Sequence, residues 1–504
     1  MCLKATQTYI MIVWVLVLGI AAGGYLMLRV YWRRAAQHCS KLPSLPRLPL
    51  LGNLHLLSGD GRVLFWLLVK SSKMSEESSQ PFVFWIGPCP IIMTIDPDDV
   101  RAITSNFIEK TFFYSFGRIW LGDGLVTAPA PVWKHSIKKL GGTFTTSIVE
   151  GYQDVFNAQA DKLVGRLKAC VDKEPFDVMH DLAYTTLEAI CQTALGVDRI
   201  SESIVTEEYY NAFNRCLELF INRGLNIFFY PDFIYQFTPA YKELVKCVTV
   251  IHNVSGTIVK KRRQEREEIN YGILKENEGR RFKAFLDILM ELHESDPTFT
   301  EQQIRAEVDT IIVGGQETVA TTLFYTLLML GCKKDVQEKL YAEMKEIYGE
   351  GKPAVRKEDL PRMQYCEAVL LETLRLFPPI PVVMRYADKD LQLKSCRVVS
   401  KTACAINAWG AGRSQRAWGP DAAEFKPERW LTGELPPGYP GSFLAFSSGR
   451  RACIGKKYAM AIMKTLLTYC VREFEFVSEA EHMEMKVDIA LRAISGHLIQ
   501  VRAR

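Results

Sequence analysis

The amino-acid sequence predicts a mainly α domain with small β-sheets behind an N-terminal transmembrane helix. Of its 504 residues, 48% are hydrophobic and 24% are charged, which is ordinary for a globular protein and excludes a disordered, collagenous or coiled-coil chain. Residues 9–28 are all uncharged and would form about 30 Å of helix, enough to cross a bilayer. Two short β-rich runs follow at 82–86 and 91–95, and most of the chain beyond them is predicted to be helical.

The charge balance and the cysteines narrow the functional class. Lys and Arg number 62 against 57 Asp and Glu, and the formal charge of +5 is too small on a chain of this length for a nucleic-acid binder. The 13 cysteines are an odd number and form no CxxC pair, so neither a disulfide framework nor a structural zinc site is indicated. At least one cysteine therefore needs its own explanation.

The apolar N-terminal segment is interpreted as a retained membrane anchor, residues 1–30. It is longer than the core of a cleaved signal peptide and lacks a small-residue cleavage site. Lys4 is the one basic residue before it, whereas its end and the residues after it carry Arg29, Arg33, Arg34 and Lys41. This asymmetry places the rest of the chain on the cytosolic side, where cysteines stay reduced.

A basic and proline-rich linker, residues 31–52, is predicted to separate the anchor from one large domain, residues 53–504. Prolines at every third position favour a stiff, extended spacer. No second linker and no repeat of fixed period divides the remaining chain. The β-rich runs are predicted to form a hairpin, after which Asp96-Pro97 opens a helix.

One cysteine stands in an unusual segment, FSSGRRACIG, just where a helical pattern begins. A helix N-terminus offers free amide donors and partial positive charge, so we expect it to favour the thiolate of Cys453, the form that binds metals. Gly449 and Gly455 carry no side chain that would hold a flat macrocycle away from the backbone. Arg451 is placed to pair with a carboxylate of such a group, and Phe446 to shield the sulfur from water.

This segment, residues 446–455, resembles the ligand loop of the cytochrome P-450 family, FxxGxRxCxG, at all five fixed positions. The resemblance implies the α-rich haem fold of that family, with haem b as the cofactor. Cys453 would be the axial ligand of the iron, and its bond to iron would be the only covalent link to the haem. The other twelve cysteines are interpreted as structural.

Four more positions match family elements behind and beside the haem. Glu372 and Arg375 lie three residues apart on a predicted helix, which by itself is typical of a surface ion pair. Together with Arg429 in the segment PERW, they resemble the family's ExxR and PERF elements. The resemblance implies that these three residues lock the core behind the haem, and that Arg385 holds a haem propionate.

A further helix is predicted to start at Thr300. Thr300 and Gln303 form a capping box, and Phe299 and Ile304 form the hydrophobic staple that accompanies it. The helix should therefore run through the segment GGQET that follows.

Paired glycines in the middle of that helix are costly unless the backbone must leave space. Gly314 and Gly315 would serve either close helix packing or a groove beside the haem. Their segment resembles the family's AGx(D/E)T groove, which implies that Thr318 lies beside bound oxygen and that Glu317 relays protons from water. Val319 departs from the family, where Thr or Ser is more usual.

The segment 121–125, LGDGL, followed by Trp133 and Phe144, resembles microsomal members of the family. It is closest to the clan of fatty-acid omega-hydroxylases and insect detoxification enzymes. The resemblance implies a single-pass protein of the endoplasmic reticulum membrane whose catalytic domain faces the cytosol, with Trp133 at a haem propionate.

Two departures from the family pattern concern the haem. The family has a propionate-binding Arg four residues after Trp133, where this chain has Ile137. Lys134 and Lys138 are the neighbouring basic residues that could replace it. The usual His upstream of the PERF element is also missing, since the segment 411–413 reads AGR.

The resemblance implies a monooxygenase that inserts one oxygen atom of O2 into an apolar small molecule: a lipid, a terpenoid or a xenobiotic. Electrons would come from NADPH through NADPH-cytochrome P-450 reductase, with cytochrome b5 as a second donor. Lys456 and Lys457 would form a basic patch for such an acidic partner, or be ordinary solvated lysines. Substrate contacts are expected from residues 112–114 and 226–237, although core packing explains these aromatic residues equally well.

Two alternatives stay open at this point. Some family members isomerise or dehydrate peroxides without a reductase, and a haem sensor would not turn over at all. The Glu317-Thr318 pair favours oxygen activation. A last expectation concerns the haem attachment: many members of the omega-hydroxylase clan carry, at the position of Gly314, a Glu that forms an ester with a haem methyl group, and a glycine cannot form that bond.

Overall fold

The structure, a computed structural model, describes residues 2–196, 206–270, 284–433, 439 and 441–504. The described chain is mainly helical with four small sheets, so the predicted fold class is confirmed for the domain. The helices are α1 (Cys2–Cys39), α2 (Gly61–Ser78), α3 (Pro97–Asn106), α4 (Arg118–Leu121), α5 (Ala130–Leu140), α6 (Thr146–Glu150), α7 (Gln153–Lys168), α8 (Met179–Thr193), α9 (Glu207–Leu225), α10 (Asp232–Tyr235), α11 (Pro239–Asn270), α12 (Phe285–Ser295), α13 (Glu301–Cys332), α14 (Lys334–Tyr348), α15 (Gln364–Leu376), α16 (Ala408–Ala411), α17 (Gln415–Trp418) and α18 (Lys456–Glu473).

The strands are β1 (Phe82–Ile86), β2 (Cys89–Thr94), β3 (Val382–Tyr386), β4 (Leu391–Gln392), β5 (Arg397–Val398), β6 (Ala403–Asn407), β7 (Phe474–Ser478), β8 (Glu484–Asp488), β9 (Ala490–Ser495) and β10 (Ile499–Ala503). The largest sheet has the order β1-β2-β6-β3, with β2 and β6 parallel and the other pairs antiparallel. The predicted hairpin is confirmed, with Phe84 opposite Ile91. Asp96 caps α3 as predicted, because its Oδ1 accepts the N–H of Asp98 at 2.9 Å.

The N-terminal helix α1 contains the segment expected to cross the membrane. Among the described residues, no single helix is both long and apolar enough to span a bilayer. Trp14–Val30 and Trp32–Cys39 meet those criteria only together, as two parts bent by 59°.

The predicted linker, residues 31–52, is attached to the domain rather than free of it. Its first part continues α1, and Cys39 is buried against the large sheet's hydrophobic cluster. The N–H of Val83 in β1 donates to the Pro43 carbonyl at 2.8 Å. Because an extended proline-rich chain has unpaired carbonyl oxygens, it can accept hydrogen bonds from a strand edge in this way.

Helix α13 passes through the centre of the domain and contacts α8, α11, α12, α14, α15 and α18. Its predicted start is confirmed, because Thr300 is the N-cap and its Oγ1 accepts the Gln303 N–H at 3.2 Å. Most residues of α13 from Ala306 onward are buried, and the exposed residue in the middle of the helix is Gly314. The site described next lies beside that residue.

Candidate functional site

Cys453 lies in a short connection between the 3-10 turn Gly449–Arg451 and helix α18. Its N–H donates to the Phe446 carbonyl at 2.9 Å, which closes the loop. Helix α18 begins at Lys456, so the cysteine precedes the first helical turn, and the N–H groups of Gly455 and Lys456 are directed at the sulfur. Cys453 as a whole residue is exposed, although many protein atoms surround its sulfur.

The pKa of the Cys453 thiol is raised, although the helix start was expected to favour the thiolate. Burial by the surrounding protein raises the pKa of Cys453, while the two amide donors and the Lys456 charge lower that pKa by less. The net pKa therefore lies above the ordinary value of a cysteine. The expected contribution of the helix start is present, but burial of the loop outweighs it.

The two glycines of the loop, Gly449 and Gly455, differ in their surroundings. Gly449 has a φ of +69°, and a Cβ at this position would collide with the Thr104 carbonyl of α3. Gly449 thus allows the loop to lie directly on α3. A Cβ on Gly455 would meet only the Cys453 sulfur, at 3.8 Å, which is ordinary van der Waals contact.

Arg451 connects the ligand loop to the chain before α5. It donates to the carbonyls of Ile108 at 3.2 Å, Leu125 at 3.2 Å and Ala128 at 2.8 Å. Its guanidinium also lies 4.5 Å from the centre of the Trp133 ring. Arg451 and Trp133, both predicted at the cofactor, therefore form one unit.

The segment before α5 is also tied to α13. Glu307 Oε2 accepts the Leu125 N–H at 3.0 Å, and Gln303 donates to the Asp123 carbonyl at 2.9 Å. A Cβ on Gly124 would collide with the Thr310 hydroxyl, which explains the small residue in the segment 121–125. Burial raises the pKa of Glu307 to about 7, against smaller lowering effects from the Leu125 N–H and Gln303.

Arg451, Arg385 and Lys110 form a group of three cations, which we call the cation trio. Arg385 is 1% exposed, and its Nε has no hydrogen-bond partner within the described chain. Burial, followed by the charges of Arg385 and Arg451, holds the pKa of Lys110 well below its usual value. Burial and the nearby Arg385 likewise lower the pKa of Arg451 to about 10.

None of the trio lies within 4 Å of an Asp or Glu oxygen among the residues that the structure describes, and Glu109, whose charge acts on Arg451, is one carboxylate beside three cations. Buried cations without a counter-ion are costly, so this arrangement calls for an anion. The two propionate carboxylates of haem b satisfy that requirement. The residues present therefore fit the cofactor that the sequence predicts.

Lys110 was missed in the sequence analysis. Lys134 and Lys138, the expected substitutes for an arginine at Ile137, are both exposed on α5 and are not part of the trio. Ile137 instead packs against the small cluster that contains Trp133. The one signal for Lys110 is the charged pair Glu109-Lys110 between the apolar residues 107–108 and 112–113, which does not reveal the distant partners of Lys110.

On α13, the two glycines face different surroundings. No atom lies within 4 Å of a Cβ built on Gly314, so this position opens onto free space. A Cβ on Gly315 would lie 2.7 Å from the Ile190 side chain of α8. Close helix packing thus accounts for Gly315, and the open groove for Gly314. The Thr318 hydroxyl donates back to the Gly314 carbonyl at 2.7 Å.

Glu317 is buried and ion-paired. Its Oε1 lies 2.9 Å from Nη2 of Arg492 on β9 and accepts a hydrogen bond from the Thr321 hydroxyl at 3.3 Å. Arg492 was not identified from the sequence, because nothing near it in the chain suggests a partner on α13. Thr318 and Glu317 are thus neighbours in sequence with different contacts.

Glu372, Arg375 and Arg429 form a buried network and not a surface pair. Arg375 donates to both Glu372 oxygens at 2.8 Å, and Arg429 Nε donates to Glu372 Oε1 at 2.9 Å. Trp430 Nε1 adds a third donor at 3.0 Å. Arg375 also donates to the carbonyls of Gly412, Ala422 and Glu424, so the network joins α15 to the chain that leads to the ligand loop.

The predicted substrate aromatics divide into two groups. Phe112 and Phe113 stack at 4.2 Å, and both contact Tyr230 at 5.3 and 5.7 Å, which joins the segment 112–114 to the segment 226–237. By contrast, Phe228 and Phe237 are 75% and 77% exposed. Because Phe112 is also 52% exposed, core packing alone accounts for neither group.

Comparisons with known proteins agree with this geometry. The family model described as Cytochrome P450 matches residues 42–498. Cytochrome P450 4V2 of Pongo abelii is 30% identical over 96% of this chain and 94% of its own length. Two insect relatives are cytochrome P450 4c3 of Drosophila melanogaster, 27% identical over 94% and 91%, and cytochrome P450 4c21 of Blattella germanica, 28% identical over 92% and 93%. The chain is therefore a member of the cytochrome P450 family, the monooxygenases that bind haem b through a cysteine–iron bond.

Proposed function

We propose that this chain is a membrane-anchored haem-thiolate monooxygenase in which Cys453 is the axial iron ligand. The observation that carries the haem assignment is the cation trio, because three cations share the one nearby carboxylate of Glu109 among the described residues and contact the ligand loop through Arg451. Lys110, Arg385 and Arg451 would hold the propionates, beside the Trp133 ring. Phe446, Gly449 and Gly455 would shape the loop around the sulfur.

When bound, haem supplies the oxidising chemistry, using O2 and two electrons to insert one oxygen atom into a carbon substrate. The chain contributes position and proton control. Gly314 leaves open space beside α13. The Thr318 hydroxyl donates to the Gly314 carbonyl and is therefore held next to this space. Glu317 is the nearest buried acid in sequence and would move protons toward this side. The Glu317-Thr318 pair therefore favours an oxygen-activating enzyme over a peroxide isomerase or a haem sensor.

An apolar small molecule fits the substrate side best. Phe112, Phe113 and Tyr230 form an aromatic group that joins the chain before α4 to the chain after α9. Such side chains offer apolar area with little flexibility. The family implies a hydrophobic substrate, and we propose a lipid, terpenoid or xenobiotic.

Electron supply would come from NADPH through NADPH-cytochrome P-450 reductase, with cytochrome b5 as a second donor. Exposed basic residues surround the ligand loop: Arg450, Lys456 and Lys457. They would attract an acidic partner to the side of the domain that carries Cys453.

We place the protein in the endoplasmic reticulum membrane, with the domain on the cytosolic side. Residues 1–30 would be the anchor, by their apolar length and the basic residues that follow. The exposed Phe228, Phe233 and Phe237 would add a second membrane contact, because large exposed apolar side chains favour an interface.

The test of ligation is the spectrum of the reduced, carbon-monoxide-bound protein. The red-shifted Soret band of thiolate ligation should appear in the wild type and be lost in Cys453→Ala. Cys170→Ala is the matched control, because Cys170 is a partly buried thiol outside the site, and it should keep the band. Survival of the band in Cys453→Ala would show that another residue is the ligand.

A further inference from the structure

Arg223, near the end of α9, is a buried cation held by the chain that follows it. Its Nε donates to the Phe229 carbonyl at 3.0 Å, and its Nη2 donates to the Tyr230 carbonyl at 3.2 Å. Nη2 also donates to Asp232 Oδ1 at 2.5 Å. The side chain of Asp232 is 94% exposed, so water competes for this carboxylate and the ion pair alone does not account for a buried charge.

Two aromatic rings from different parts of the chain contact the Arg223 guanidinium. Its central carbon lies 4.1 Å from the centre of the Phe116 ring and 4.2 Å from the centre of the Tyr235 ring. Both rings are buried; Phe116 precedes α4, and Tyr235 is the last residue of α10. A planar guanidinium can stack on aromatic faces while its N–H groups still donate hydrogen bonds, which an ammonium group does less well. Arg223 therefore joins the end of α9, the chain before α4 and helix α10 at one point.

Phe112, Phe116 and Tyr230 form a group of contacting rings, which we call the aromatic wall. The centre of the Phe112 ring lies 5.8 Å from that of Phe116 and 5.3 Å from that of Tyr230, in both cases edge to face. Phe112 is the most exposed member of the wall and offers free apolar surface. Arg223 holds both residues that support this surface, Phe116 through its ring and Tyr230 through its backbone carbonyl.

We propose that Arg223 is a positioning residue for substrate specificity, which fixes the aromatic wall so that it binds the apolar tail of the substrate. Helix α13 passes through the centre of the domain, whereas the wall reaches the surface at Phe112. A substrate that reacts beside α13 therefore contacts the wall only if it carries a long apolar tail. This role rests on the proposed function, in which the segments 112–114 and 226–237 contact the substrate.

The test uses two probes, N-butylimidazole and N-dodecylimidazole, which differ only in the length of their alkyl chain. The imidazole nitrogen of each binds haem iron and shifts the Soret band, so the spectrum reports binding without turnover. The haem-loaded wild type is compared with Arg223→Met, which removes the guanidinium and keeps an unbranched side chain. We expect Arg223→Met to weaken the long probe about tenfold and the short probe by less than about twofold, because only the long chain reaches the aromatic wall.

Arg215→Met is the matched control on the same helix. Arg215 donates to both oxygens of Glu243 on α11, at 2.8 and 2.9 Å, and to Glu218 at 2.7 Å. This variant removes a cation of α9 away from the aromatic wall, so both probes should bind it as they bind the wild type. Arg223→Lys keeps the charge without the planar fork and should weaken the long probe about threefold, which preserves the test if Arg223→Met does not fold.

The ratio of the two affinities separates positioning from a merely structural role. General loosening of the domain would lower Tm and weaken both probes together, without changing their ratio. In the Phe112→Ala background, the loss caused by Arg223→Met should be much smaller, because the surface that Arg223 positions is gone. Equal weakening of both probes in Arg223→Met, no weakening of either, or an undiminished loss in the Phe112→Ala background would each overturn the proposal.

Phe112→Ala alone distinguishes this proposal from the substrate contacts on which it rests. If the contacts are correct, this variant weakens the long probe and leaves the short probe unchanged. A long probe that binds Phe112→Ala as it binds the wild type would refute the contacts and, with them, the role of Arg223. If Phe112→Ala weakens the long probe and Arg223→Met does not, the contacts stand and the role of Arg223 is refuted.

Discussion

The guanidinium of Arg451 lies 4.5 Å from the centre of the Trp133 ring, at the point where a family arginine is replaced by Ile137 one helical turn further along α5. The face of Trp133 is thus covered by a cation from the ligand loop. The third cation of the site comes from Lys110 and not from α5. This arrangement leads to the first prediction.

Lys110→Met should weaken haem binding, because it removes one of three cations available to the propionates. Loss of one charge-assisted hydrogen bond contributes about 1.5 kcal/mol, so haem should transfer to an acceptor apoprotein about tenfold faster. Lys134→Met, on the exposed face of α5, is the control and should behave as the wild type. Adding Ile137→Arg to the Lys110→Met variant should restore haem retention, if residues 110 and 137 serve the same carboxylates.

Thr318→Ala should keep haem and yet divert electrons from product. The hydroxyl is held beside the open position Gly314, and alanine removes it without adding volume. We expect NADPH oxidation to continue and to yield mainly peroxide and water. The measurement is product per NADPH, and wild-type coupling in Thr318→Ala would contradict the role.

The haem should be extractable in unmodified form. Gly314 carries no carboxylate, and Glu317 is engaged by Arg492, so neither offers an ester to a haem methyl group. Acidified organic solvent should therefore remove all haem from the denatured wild type. Because a Cβ built on Gly314 meets nothing within 4 Å outside its own helix backbone, the first carbon of a new side chain has space, and Gly314→Glu should create a covalently held fraction, seen by mass spectrometry of the polypeptide. Haem left on the wild-type chain would show that the groove is misassigned.

Glu307 should make stability depend on pH near neutrality. Burial raises the pKa of this carboxyl to about 7 from 4.5, so its contribution to stability is full below pH 4.5 and is lost as pH rises through 7. From pH 6 to pH 8 this group alone should reduce the free energy of unfolding by about 1 kcal/mol. Urea unfolding of Glu307→Gln should show a smaller loss of the free energy of unfolding from pH 6 to pH 8. An unchanged loss in this variant would assign the pH dependence to another group.

Deletion of residues 1–30 should release the protein from membranes only in part. Phe228, Phe233 and Phe237 remain exposed after the deletion and offer apolar area to the interface. Flotation with vesicles at low ionic strength measures the retained fraction. Replacing the three phenylalanines by serine in the truncated protein should abolish the retained fraction. If the truncated protein is already fully soluble without that replacement, the second membrane contact does not exist.

Features that depend on neighbouring residues could be read from the sequence alone. The cap at Thr300, the hairpin of β1 and β2 and the start of α3 at Asp96 were all predicted, because each is set by contacts within a few residues. The segment around Cys453 likewise indicates its chemistry through local spacing. This segment carries the resemblance to the family, and the match of the family model over residues 42–498 shows the membership.

Tertiary structure alone decided which distant residues meet. Lys110 joins Arg385 and Arg451, and Arg492 reaches Glu317, across separations at which sequence spacing carries no information. Tertiary structure also decided the pKa of Cys453, because burial raises this pKa by more than the helix start, which the sequence reveals, lowers it. Burial and long-range pairing depend on how whole elements pack, so the charges that would hold the cofactor and control its protons emerge only once the chain is folded.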